Sequence, residues 1–203
     1  MKKIVFGMGM ILLGGCAGAT AIPSGFLKNY DALSRGKYLE KVMLAPELKT
    51  VQHQMITIAK PSIETVADNS KLTKNAAQEY FSMELVRWLG GVQNWTFKSD
   101  SADSPNGSNG LRLETAITEL DPGSQAARMW VGPTGLGYSY VQVEGRLVDP
   151  ASGKVFFAFM DRRSGSDTGG LGLTGGVSRE LMQTDLDAIA KSLAKTFREL
   201  AKS

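Results

Sequence analysis

Cys16 and His53 are the only thiol and the only imidazole in this chain. A thiol serves as nucleophile, redox centre or metal ligand, and an imidazole as proton carrier or metal ligand. Most of that chemistry needs company. One cysteine forms no internal disulfide. A metal at His53 would have to be completed by carboxylates, and no Asp/Glu cluster with metal-ligand spacing accompanies it. A Ser–His–Asp triad would have to use His53, yet there is no Gly-x-Ser-x-Gly elbow. Ser192-Leu193-Ala194-Lys195 matches Ser-x-x-Lys in letters, but Leu193 falls on the apolar stripe of a helix between them. Gly170-Leu171-Gly172-Leu173-Thr174-Gly175 matches the dinucleotide fingerprint, though it lies well past the nearest strand and no second parallel strand follows. His53 therefore reads as a surface or strand-edge residue and the glycine run as a loop. The chain is expected not to be an enzyme and to carry no metal or cofactor. The rival readings are a small-ligand carrier with an enclosed apolar pocket and a hydrolase with a dispersed triad.

One further group suits binding. Trp130, Tyr138 and Tyr140 flank the glycines of residues 131–137. Aromatics beside a bendable segment form contact patches, and Trp and Tyr are anchor residues at interfaces. The contact surface is expected there, with the glycine-rich loop Ser164–Gly176 close by. The alternative is ordinary core and edge aromatics beside an independent loop.

Cys16 is best explained by what precedes it. Met1-Lys2-Lys3 is basic, and residues 4–13 carry no charge. A basic start and a short apolar run are the pattern of an export signal, too short to remain as a spanning helix. Leu13-Gly14-Gly15-Cys16 resembles the lipobox of bacterial lipoproteins. That resemblance implies a thioether to diacylglycerol on Cys16, cleavage before it and acylation of the new amino group. It makes residues 1–15 the signal peptide, 16–24 a lipidated tether and 25–203 a single domain. Ala17, rather than aspartate, follows the cysteine, which implies sorting to the outer membrane with the domain on the periplasmic face. Ordinary signal cleavage within residues 17–21, where small residues alternate, is the competing reading.

Charge narrows the partners. Of 23 basic residues, Lys2 and Lys3 lie in the leader, and the rest nearly balance 20 acidic ones. There is thus no global field to attract nucleic acid or anionic lipid, and the basic residues are scattered rather than striped, so nucleic acid is not expected as a partner. The membrane, through the lipid, and an envelope protein are; the oligomeric state is left open.

The elements that must position these residues follow from periodicity. Gly25 to Leu33 reads as a short helix or turn that docks the tether. His53 to Val66 reads as a strand interrupted near Pro61, and Thr73 to Leu89 as a helix stopped by Gly90-Gly91. Trp95-Thr96-Phe97 is a short strand. Leu111 to Leu120 and Gly137 to Val148 alternate, the latter with Val141, Val143 and Leu147 inward and Gln142, Glu144 and Arg146 outward. Residues 149–153 form a hairpin loop with Gly153 left-handed. Val155 to Met160 is apolar on both faces and needs cover on both, from the domain or from a partner. From Arg179 an apolar stripe through Leu186, Leu193 and Leu200 marks a closing helix. The expected fold is α+β, a mostly antiparallel sheet with a helix after the first strand and a C-terminal helix packed on it.

Two stretches carry a family resemblance. Ser24-Gly25-Phe26-Leu27 with Tyr30 and Leu33, and Thr115 to Val155 with Glu119-Leu120-Asp121-Pro122-Gly123-Ser124 and Asp149-Pro150-Ala151-Ser152-Gly153-Lys154, resemble a family of Gram-negative lipoproteins known only as a domain of unknown function, and a sister family. The resemblance implies a periplasm-facing lipoprotein and supplies no catalytic residues. The expected function is a binding or scaffolding subunit of an envelope complex.

Overall fold

The computed structural model describes residues 20–51, 55–63, 71–100, 110–121, 123, 139–164 and 178–202. Its strands are β1 (Ser34–Arg35), β2 (Lys41–Leu44), β3 (Met55–Ile58), β4 (Ser62–Ile63), β5 (Thr96–Ser99), β6 (Leu111–Asp121), β7 (Tyr140–Val148) and β8 (Val155–Ser164). The helices are α1 (Lys71–Leu89) and α2 (Ser178–Leu200), with a 3-10 helix at Pro46–Val51. The strands form one sheet in the order β1-β2-β8-β7-β6-β3-β5, with β4 beside β6.

The sheet is mixed, which corrects the expectation of a mostly antiparallel one. β2, β8, β7 and β6 are antiparallel neighbours, but β3 runs parallel to both β5 and β6, and β4 parallel to β6. The cause is α1. A helix between two strands carries the chain back to its starting end, so the next strand enters parallel. The helix also follows the fourth strand, not the first. β1 and β2 precede β3, and Pro61, which lacks an N–H, separates β3 from β4.

Both helices pack on one face. α1 buries Ala77, Phe81, Leu85 and Leu89 at four-residue spacing, and Gly90 N donates to Val86 O where it ends. α2 buries Met182, Leu186, Ile189, Leu193 and Phe197, with Glu180 early and Arg198 late to suit its dipole. Beneath them lie Leu113, Ile117, Val143, Leu147, Phe157 and Phe159, all fully buried. Phe197 meets Trp95, Phe97 and Phe157 edge-on at 5.1–5.4 Å. The 149–153 turn forms as expected, with Gly153 at φ +69° and Asp149 accepting from Ala151 N and Ser152 Oγ.

The second face is covered too. Phe156, Ala158 and Met160, the outward side chains of β8, are buried, so this apolar strand offers no open patch to a partner. Ala116 of β6 and Gln142 and Glu144 of β7 are also buried on that side. What covers β7 is the chain's own N-terminal segment.

Candidate functional site

Residues 20–33 cross the sheet as a strap of bends and turns, tied down by side chains more than by backbone pairing. Gln142 acts as a surrogate strand partner. Its Oε1 accepts from Ile22 N at 2.8 Å, and its Nε2 donates to Ile22 O at 2.6 Å. The same amide donates to Thr118 Oγ1 and Glu144 Oε1. Glu144, fully buried, accepts from Ser24 N at 3.1 Å and from the Tyr30 hydroxyl at 2.6 Å. That hydroxyl in turn accepts from Gly25 N and Leu27 N, which folds the strap around it. Beyond the turn, the Arg146 guanidinium lies 5.2 Å over the Phe26 ring and pairs with Glu114. A buried carboxylate is tolerable only when its oxygens are satisfied, and here they are.

A second tier of bonds holds the start of the strap. A bulge between Ile117 and Glu119 of β6 lets Glu119, as well as Thr118, face the strap. Arg162 of β8 donates to both oxygens of Glu119 at 2.6 and 2.7 Å and to Thr20 O at 3.2 Å. Its guanidinium also lies 4.5 Å over the Tyr140 ring. Ala21 N donates to the Glu40 carboxylate. Glu40 N donates in turn to Asp161 Oδ1 at 3.0 Å. Asp161 is paired through its other oxygen to Arg163, which also donates to Tyr38 O and Ser192 Oγ. Burial pushes the Asp161 carboxyl up to about 6, against the pull of Arg163.

Beside this tier a groove of about 540 Å³ opens between the β1–β2 corner and β8, with Thr20 at its lip. The corner is tight. Gly36 N donates to Glu40 O, and a Cβ on Gly36 would meet Leu39 O at 2.4 Å, so only glycine fits.

The residues singled out by sequence divide as follows. Cys16, His53, Trp130, Tyr138 and the Gly170–Gly175 run lie outside the described residues. Tyr140 is described, half-buried and stacked under Arg162. Ser164 is the last residue of β8 rather than the start of a loop, and it is buried. Ser192 accepts from Arg163 while Lys195 lies over the Tyr38 ring, so the two make no Ser–Lys pair. Alternation placed Gln142 and Glu144 correctly on the outward face but missed that they are buried under the strap. One signal was available. Ala116, Ala158 and Met160 are apolar at outward positions of the flanking strands, which is what a covered face looks like.

No helix among the described residues is long and apolar enough to cross a membrane, and no group of three metal-binding side chains occurs among them. The sequence profile of the family described as "Domain of unknown function (DUF4410)" matches residues 47–169, more than half of the chain. The chain belongs to the DUF4410 family. The matched interval of this DUF4410 member holds Gln142, Glu144 and Asp161, while the strap precedes it. No curated protein sequence matches. Among solved structures the chain is similar to the PelC dodecamer from Paraburkholderia phytofirmans, at 16% identity and TM-score 0.42 over 75% of this chain and 94% of that one. It is also similar to the DUF330 protein XCC0632 from Xanthomonas campestris, at 12% identity and TM-score 0.44 over 73% and 86%. A third is lipoprotein GNA1162 from Neisseria meningitidis, at 14% identity and TM-score 0.33 over 70% and 99%.

Proposed function

We propose that this DUF4410 chain is a lipoprotein held at the periplasmic face of the outer membrane by Cys16, where it serves as a non-enzymatic binding or scaffolding subunit of an envelope complex. The observation that carries this reading is the strap. The first described residue, Thr20, is already bonded to the sheet through Arg162, and Ile22 and Ser24 follow on Gln142 and Glu144. Only three residues lie between Cys16 and Thr20, four Cα–Cα steps with a reach of about 14 Å when extended. A lipid on Cys16 would therefore hold the domain directly against the bilayer, as befits a part that presents a surface at the membrane. More than one acyl chain makes such anchoring stable.

The partner surface is assigned to Trp130, Tyr138 and Tyr140, residue types that anchor interfaces. The experiment has two arms. Metabolic labelling with a fatty-acid probe should mark the wild type in the outer-membrane fraction and leave Cys16→Ser unmarked; a labelled Cys16→Ser or a soluble wild type overturns the anchor. Crosslinking in intact cells should yield an envelope protein that is lost from Trp130→Ala/Tyr138→Ala; unchanged crosslinks in that folded variant overturn the surface. Activity dependent on His53 in a hydrolase screen overturns the non-enzymatic reading.

A further inference from the structure

We propose that the groove between the β1–β2 corner and β8 is a docking surface for the phosphates of anionic phospholipid headgroups. The proposal rests on the reading of Cys16 as the lipid anchor.

The first support is charge left over after pairing. Arg163 is used by Asp161, and Arg162 by Glu119. The Glu40 carboxylate is used by Ala21 N. Arg35 and Lys41, which also line the groove, have no carboxylate partner among the described residues. Lys37 has Glu199 at 3.1 Å, but both side chains are largely exposed, and such a pair is weak.

The second support is placement. Arg35 and Lys41 are register partners across β1 and β2, and Lys41 is in register with Met160 of β8. Side chains directly opposite each other share a face. Arg35 and Lys41 therefore stand on the strap side of the sheet, two positions from Arg162, which holds Thr20. The same strap leaves Ile22, two residues beyond Thr20, 60% exposed.

The third is distance. A lipidated Cys16 sits at the boundary of acyl chains and headgroups, and the headgroup layer is about 6 Å deep on each side. Thr20 can be no more than about 14 Å from Cys16, so the groove at its lip is confined to the immediate neighbourhood of that layer. Phosphates are the anions present there, and a fork of Arg with a neighbouring Lys suits them.

The test uses a chain beginning at Ala17, which keeps every described contact because the first is made by Thr20. Binding is measured by sedimentation with phosphatidylglycerol vesicles and with phosphatidylcholine vesicles, at low and high salt. The wild type should prefer phosphatidylglycerol, and salt should weaken that preference. Each basic residue beside an anionic surface contributes about 5-fold, so Arg35→Gln/Lys41→Gln should bind about 30-fold more weakly. The charge-keeping pair Arg35→Lys/Lys41→Arg should retain binding. Lys60→Gln/Lys98→Gln, which removes two exposed cations that do not line the groove, should leave it little changed. Equal binding to the two vesicle types overturns the proposal, as does an equal loss in the Lys60/Lys98 control. Release by inorganic phosphate at an ionic strength where chloride has no effect would mark a discrete ion site and also overturns it. The vesicle assay needs no lipid on the protein, so its failure is distinct from failure of fatty-acid labelling at Cys16.

Discussion

The Tyr30 hydroxyl donates to Glu144 Oε2 at 2.6 Å across 114 residues of chain, and the same oxygen of Tyr30 accepts from Gly25 N and Leu27 N. One phenol thus closes the strap's turn and seats it on β7. Tyr30→Phe keeps the ring and removes all three bonds, leaving a fully buried carboxylate short of a donor. A lost partner at a buried charged group costs about 1–3 kcal/mol. Urea unfolding should show that loss, and limited proteolysis should cut faster within residues 20–33 than elsewhere. An unchanged midpoint and an unchanged cleavage pattern would show that the strap is held by other means.

Asp161 gives the stability a pH dependence of its own. Its carboxyl is raised from 3.8 to about 6 by burial, so between those values the folded chain binds more protons than the unfolded one. Stability from this group is then full below 3.8 and is lost as pH rises through about 6, a swing of about 3 kcal/mol. Asp161→Asn keeps the acceptor for Glu40 N but cannot titrate. The stability difference, wild type minus Asp161→Asn, should fall as pH is raised from about 4 to about 7. Exposed acids such as Glu199, which Lys37 and Lys202 hold below its ordinary value, cancel in that difference. A flat or rising difference would contradict the burial argument.

Gly145 of β7 is in register with Phe159 of β8, whose ring lies over it. A Cβ at residue 145 would meet that ring at 2.3 Å. Overpacking of this kind costs about 1–3 kcal/mol. Gly145→Ala should therefore be destabilised, and Gly145→Ala/Phe159→Leu should show a smaller loss than the sum of the two single variants. Strict additivity in denaturant melts would mean the clash is relieved some other way.

Between α1 and α2, Glu84 and Asp187 share the Arg87 guanidinium, and Trp88 Nε1 donates to Asp187 at 2.7 Å. Burial, then the hydrogen bond with Asp187, raise the Glu84 carboxyl above its ordinary value, against the pull of Arg87. Carbon-detected titration should find Glu84 lowered in Asp187→Asn and raised in Arg87→Met. Movement in the same direction in both variants would disprove this division of causes.

The sequence displayed the helix face of the fold and concealed the strap face. Phe81, Leu85 and Leu89, and later Leu186, Leu193 and Phe197, recur at helical spacing because one continuous core selects them. The valines of β7 alternate for the same reason. The parallel pairing of β3 leaves no such mark, because periodicity reports which face is buried and not which neighbour a strand takes. β1 and β2 carry no periodic pattern because they are short and their side chains mostly polar or half-buried. At the site, Tyr30, Glu40, Gln142, Glu144 and Asp161 were invisible as a group. Their bonds join residues about 120 apart, and a polar residue under a strap has the same letter as one in water.

The strap also gives the domain a leash of two lengths. Seated, it leaves three residues between Cys16 and Thr20, a span of about 14 Å at full extension. Tension from the N-terminus would meet the bonds at Thr20, Ala21, Ile22 and Ser24 one after another. None of residues 20–33 belongs to a strand, so all can peel away without breaking the pairing of β1 to β2. Peeled as far as Ser34, the leash would extend to about 60 Å. The resistance along the way comes from a handful of side-chain bonds and the burial of Ala21 and Leu27. With Cys16 lipidated as proposed, the seated strap would keep the domain against the membrane and the peeled strap would let it stand off, the resistance between the two being set by Arg162, Glu40, Gln142 and Glu144.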